Sequence, residues 1–197
     1  MGINKKLLVI LIFFTLLWTM AAYPSSYTII LFPLINFIVI CFAFRNEIIE
    51  FDFNKYIKDR DFWTSTYQTL LIGAIGQAIA NIAIQMIGIS SPDISFAYHM
   101  VAAPVMSVIF SSVNEEIIYR KVIFGYLDKK FGFWVGAVLS SLIFALSHYN
   151  YAGWIGFLAI GLVWCWAYKR TENIAINILS HMALNLIFFI KITFMGG

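Results

Sequence analysis

An all-α bundle that crosses a membrane about seven times is the fold this sequence predicts, and three observations predict it. Of its 197 residues 61% are hydrophobic and only 12% charged, with a mean hydropathy of +0.85; soluble domains carry roughly 25% charged residues. Apolar runs of spanning length recur along the whole chain. The charges gather between those runs. The length allows one integral-membrane domain over residues 1–197, with its motif-bearing core at about 100–190, and no separate soluble domain.

The first span is expected from about Leu7 to Ala22, stopping at the turn-forming Tyr23-Pro24-Ser25-Ser26. Lys5-Lys6 ahead of this run has the shape of a signal peptide, but further spans follow at once and no clear A-x-A-like site is present, so an uncleaved first span is expected. The second span, about Tyr27 to Phe44, contains Pro33, which should kink it, and the polar Asn36. From Arg45 to Asp61 charges alternate with Ile48, Ile49, Phe51, Phe53, Tyr56 and Ile57, a pattern that suits an interfacial amphipathic helix or a solvated loop. The third span, roughly Thr64 to Ile89, carries Gly73, Gly76, Ala80 and Ala83 beside Gln77 and Asn81. Helix packing is the default reading of such small residues, with the amides bonding across or lining a polar cavity.

Ser90-Ser91-Pro92-Asp93 ends that span, and the fourth runs from about Met100 to Leu127. The fifth (Phe133 to His148), sixth (Trp154 to Tyr168) and seventh (Ile174 to Ile190) follow, separated by Asp128-Lys129-Lys130, Tyr149-Asn150-Tyr151 and Lys169-Arg170. With seven spans and the N-terminus inside, the inner loops hold nearly all the lysines and arginines, and the outer side only Lys191. The net charge of +3 therefore reads as membrane orientation; no nucleic-acid partner is expected. Cys41 and Cys165 lie in apolar runs without metal-ligand spacing and read as buried small hydrophobes.

The chemistry is concentrated in Val113-Asn114-Glu115-Glu116-Ile117-Ile118-Tyr119-Arg120. A charge at the centre of a bilayer costs at least ~2.5–3.5 kcal/mol, so a Glu-Glu pair inside an apolar run is a functional-site hypothesis by default. On a helix Glu116 and Arg120 share a face and can pair. Glu115, rotated about 100° from Glu116, is left without a local cation and is the better placed to act as general base for a water. An ion-pair network that merely locks helices together is the competing reading, and it fits Glu116 and Arg120 better than Glu115. His181 and Asn185 are also four apart, and together can donate to a developing oxyanion; Asn177 extends their stripe. His148 follows Phe144 by four, with Ser147 beside it. By helical rise Glu115 and His181 are expected ~12–15 Å from the inner edge and His148 nearer ~24 Å, so His148 joins the site only if tilt or a different boundary absorbs the difference. His99 stands apart from this company.

Glu115-Glu116-x-x-x-Arg120, Phe144-x-x-x-His148 and His181-x-x-x-Asn185 resemble the three motifs of the CPBP intramembrane proteases. That family includes the type II CAAX prenyl endopeptidases and the bacterial Abi group linked to bacteriocin processing and self-immunity. The resemblance covers about Val105 to Phe189, with all three motifs intact and in order. It implies a polytopic helical fold around an intramembrane cavity, in which Glu115 and His148 activate water, His181 and Asn185 form the oxyanion hole, and Glu116 and Arg120 support the site. It further implies a lipidated or hydrophobic peptide as substrate, CAAX-like or a bacteriocin, leader or signalling peptide, in a bacterial cell membrane. Membrane lipid is an expected partner, and the short chain raises a second copy or a partner membrane protein as another.

No cofactor is expected, since the chain has no His-Glu-x-x-His helix. Two histidines and a glutamate are nonetheless a ligand set zinc accepts, which makes a zinc-dependent version the alternative. Two other classes compete. One is a non-enzymatic membrane adaptor or bacteriocin-immunity protein; the other is a transporter or proton relay, disfavoured by the oxyanion-type His-x-x-x-Asn pair and by the lack of an evident inverted repeat.

Overall fold

The structure, a computed structural model, describes residues 3–88, 103–148 and 153–195. Among these residues every regular element is helical, so the chain is an all-α membrane bundle. Helix α1 spans Ile3–Ala22 and α2 Ser26–Ala43. The stop between them works as composition suggested. Ser25 Oγ accepts the Thr28 amide at 3.1 Å while Thr28 Oγ1 accepts the Ser25 amide at 2.9 Å, a reciprocal cap that satisfies two otherwise orphaned donors.

Two short helices, α3 (Arg45–Ile49) and α4 (Phe53–Ile57), occupy the charged segment. It is therefore neither one continuous amphipathic helix nor a plain loop. Asp52 caps α4, and Asp59 caps the long α5 (Arg60–Met86), which starts four residues before the expected Thr64. The small-residue stripe on α5 packs only in part. A Cβ at Gly73 would press on Ile160, whereas one at Gly76 would meet nothing within 4 Å. Gln77 and Asn81 lie against Gly156, where α5 meets the helix that contains it.

Helix α6 (residues 103–131) is composite. It is α-helical over Ala103–Val105, π-helical over Met106–Ser111, α-helical over Ser112–Glu115, π-helical over Glu116–Phe124 and α-helical over Gly125–Phe131. Sequence periodicity signals none of this, and π turns inside α-helices gather at functional sites. The chain then reverses at Gly132, with φ 84° and ψ 169°, conformational space open essentially to glycine alone. Helices α7 (Phe133–Leu146), α8 (Trp154–Thr171) and α9 (Ile174–Met195) complete the bundle. His99, Ser90 to Asp93 and Tyr149 to Tyr151 lie outside the described residues.

Each expected apolar segment is thus helical where described. Among the described residues four helices are long and apolar enough to cross a membrane by length and composition: α1 over Asn4–Ala22, α2, α5, and α9 over Ile174–Lys191. The 14-residue α7 is only about 21 Å long, less than the ~30 Å hydrocarbon core. Helix α8 packs on α5 and α7, α9 on α5 and α6, and α1 on α2. Large apolar side chains such as Leu11, Trp18, Phe42, Ile75 and Ile79 face outward, while Asn114, Glu116, Arg120, Asn177 and His181 are buried. In water such an exterior would aggregate; in lipid it is the required one. Ion pairs from Lys121 to Glu47 and from Lys169 to Asp128 (2.7 Å) bring α3, the end of α6 and the end of α8 to one end of the bundle.

Candidate active site

Glu115 and Glu116 part company at the junction of the α turn and the second π stretch. Glu116 is fully buried. Its Oε1 accepts His181 Nδ1–H at 2.9 Å and lies 3.3 Å from Arg120 Nη1, and its Oε2 accepts from Asn177 Nδ2 at 3.3 Å. Asn177 also donates to the Trp164 carbonyl at 2.8 Å, which ties α9 to α8. The Arg120 guanidinium, equally buried, lies against the faces of Phe144 at 4.3 Å and Trp164 at 4.8 Å. Aromatic faces attract a cation most strongly where water is excluded. Trp164 also stacks on the His181 ring, with centroids 4.1 Å apart.

Glu115 is different. Its Oε2 is buried without a hydrogen-bond partner and lies 3.9 Å from both His148 Nε2 and His181 Nε2. Both rings are oriented from behind. Since carbonyls only accept, His148 Nδ1 must donate to Phe144 O at 2.8 Å, and His181 Nδ1 donates to the Glu116 carboxylate. In each neutral ring the lone pair is then on Nε2, the nitrogen that faces Glu115. At 3.9 Å none of the three is in direct hydrogen-bond contact, a spacing that suits a bridging water.

His148 reaches this level despite the depth mismatch expected from the sequence. Helix α6 runs on to Phe131 and turns at Gly132, so Glu115 and His148 stand 17 and 16 residues from one reversal and come level across an antiparallel pair. His148 itself follows α7 in a turn. The Phe144 carbonyl, left free at the helix end, accepts both His148 Nδ1–H and Ser147 Oγ–H (2.7 Å), and Ser147 accepts the Tyr119 hydroxyl at 2.7 Å. The Phe144-x-x-x-His148 spacing is a helix-end hydrogen bond. Sequence reading gave Tyr119 and Trp164 no role; an aromatic in an apolar run carries no signal of what it will stack on.

Asn185 lies one turn beyond His181, where its Nδ2 donates to Ser107 O at 3.2 Å and Ser112 Oγ at 3.0 Å. It bridges α9 to the first π stretch of α6. A cavity of about 210 Å³ opens in front of Glu115, lined by Tyr119, Ser147 and His148 and, across from them, by Phe13, Leu17, Met20 and Ala21 of α1. Among the described residues no group of three or more His, Cys, Asp or Glu is arranged to hold a metal. Glu115, His148 and His181 are zinc-type donors; ligands bound at 2.0–2.2 Å around a tetrahedral ion stand about 3.3–3.6 Å apart, so Glu115 and the two rings would draw in by a few tenths of an ångström from 3.9 Å to hold one.

A family model described as Type II CAAX prenyl endopeptidase Rce1-like matches residues 97–187, which include all three motifs. Over that motif-bearing segment the chain is similar to the CPBP family. One relative is YdiL of Bacillus subtilis (strain 168), by its name a candidate membrane peptidase, 36% identical over 87 residues that make up 43% of this chain and 36% of the relative. Another is the "Membrane-embedded CAAX protease MroQ" of Staphylococcus aureus (strain USA300), 34% identical over 83 residues, 39% of this chain and 34% of that protein. The chain matches about a third of the length of these curated relatives. No solved structure matches it.

Proposed function

We propose that the protein is an intramembrane endopeptidase of the glutamate type, acting on a lipidated or hydrophobic peptide in a bacterial cell membrane. The observation that carries this reading is the unpartnered Glu115 Oε2 on the wall of a cavity, 3.9 Å from both His148 Nε2 and His181 Nε2. A water held there donates one hydrogen to Glu115 and one to His148. Glu115 takes the proton as the water oxygen attacks the peptide carbonyl, and returns it to the leaving amine. His181, fixed through Nδ1 by Glu116, presents Nε2 to the same space and, in its doubly protonated form paired with the Glu116 carboxylate, donates Nε2–H to the oxyanion. Asn185 joins as second donor by exchanging its bond to Ser112. Glu116 and Arg120 hold His181 in place and keep their own charges balanced. The family match and the relatives' names support a membrane peptidase, and the spacing of the trio suits a water held between its members.

The test is hydrolysis by purified protein of a panel of prenylated CAAX peptides and leader-type hydrophobic peptides, with and without chelator, beside Glu115→Gln. Cleavage that survives chelation and falls by about 10²–10⁴ in the variant is expected. Loss on chelation with recovery in zinc would move the chemistry to a metal. No cleavage of either class by the parent protein would return the polar cluster to a structural role in a membrane adaptor.

A further inference from the structure

The cavity has two walls of unlike origin. Its polar side, Glu115, Tyr119, Ser147 and His148, comes from α6 and the end of α7, inside the segment that matches the family. Its apolar side comes from one helix outside that segment. Phe13, Leu17, Met20 and Ala21 fall at the i, i+4, i+7 and i+8 positions of α1 and therefore share a face. Burial falls along that face. Phe13 is 4% exposed and packs edge-on against Tyr119 at 5.6 Å, Leu17 and Met20 are half-buried, and Ala21 is exposed. The wall is closed at its Phe13 end and open at Ala21.

From this geometry we infer that α1 is the specificity element of the site: Leu17 and Met20 receive the apolar side chain of one substrate residue flanking the bond that Glu115 attacks. The inference rests on the peptidase reading above. Size sets the class of ligand. A dry apolar cavity of about 150 Å³ already takes up benzene, so about 210 Å³ holds one leucine- or phenylalanine-sized group beside the attacking water. It falls short of the ~300–1,000 Å³ of sites that enclose whole drug-sized ligands, which makes a side chain, rather than a whole lipid chain, the occupant. Met20 is the adaptable member, because an unbranched thioether repacks around different shapes.

The experiment is a peptide series differing only at one flanking residue (Gly, Ala, Leu, Phe, Trp), given to the full chain and to Leu17→Trp and Leu17→Ala. The parent is expected to prefer Leu or Phe. Leu17→Trp should lower kcat/KM for those peptides by at least about tenfold, the scale on which an apolar pocket discriminates, while its retained cleavage of the Gly and Ala peptides shows that it is folded. Leu17→Ala should shift the optimum toward Trp. An unchanged preference in both variants, with cleavage intact, overturns the role of α1 and leaves the peptidase reading standing. A photo-crosslinking residue at position 17 reports occupancy without turnover. Size-selective capture without cleavage in the parent would sink the peptidase reading and keep the side-chain pocket; neither capture nor cleavage would overturn both.

Discussion

At the scale of single residues, two adjacent carboxylates with unlike surroundings should respond in opposite ways to the same change. Glu115 has an unpartnered oxygen at a cavity edge and is one-fifth exposed. Glu115→Gln should therefore lower hydrolysis by about 10²–10⁴ while leaving thermal unfolding in detergent nearly unmoved. Glu116→Gln should do the reverse first. It strips the charge that faces Arg120 and His181 in a fully buried site, and breaking one side of a buried pair costs about 3–5 kcal/mol. Unfolding measured on the two variants side by side distinguishes them; equal destabilisation would contradict the assignment of separate roles. Tyr119→Phe is a milder probe. It removes the hydroxyl bond to Ser147, beside the turn that carries His148, and should cost about 0.5–1.5 kcal/mol together with a fall in kcat larger than any change in KM. Both glutamates and both histidines could be picked out beforehand because charge inside apolar sequence is rare. The hydrogen bonds that separate Glu115 from Glu116 could not, since Asn177 and His181 reach them from 61 and 65 residues away.

At the scale of elements, the reversal between α6 and α7 sets the register that brings Glu115 level with His148. Gly132 makes that reversal at positive φ, and Gly132→Ala should cost about 1–3 kcal/mol of stability. Because the strained residue lies some 16 residues from either member of the pair, folded variant should still cleave, with its loss read mainly in unfolding. A Gly132→Ala protein as stable as the parent would show that the turn has an alternative path. Hydropathy made the apolar segments legible, and four-residue spacing made the motifs so. Two features escaped. The π stretches of α6 correspond to no residue pattern within it. The part α1 plays in the cavity was hidden because a run such as Leu7 to Ala22 looks the same whether it faces lipid or substrate.

At the scale of the whole molecule, the ends of the bundle differ. Lys5 and Lys6 begin α1, and the ion pairs Lys121–Glu47 and Lys169–Asp128 place α3 and the ends of α6 and α8 together with them at one end. Met20 and Ala21 finish α1, and Ser147 and His148 follow α7, so the cavity mouth lies toward the other end. Basic segments stay on the cytoplasmic side. We therefore predict that the N-terminus is inside and that the site is reached from the outer half of the membrane. Cysteine labelling in intact cells checks this, in a background with Cys41 and Cys165 replaced. A membrane-impermeant thiol reagent should modify Ala21→Cys from outside and leave Lys129→Cys untouched until the cells are opened. The reverse pattern would invert the topology and turn the cavity toward the cytoplasm, where a prenylated cytosolic substrate would meet it. The expected pattern favours instead a peptide that has already entered or crossed the membrane, which the apolar wall of α1 would then meet side chain first.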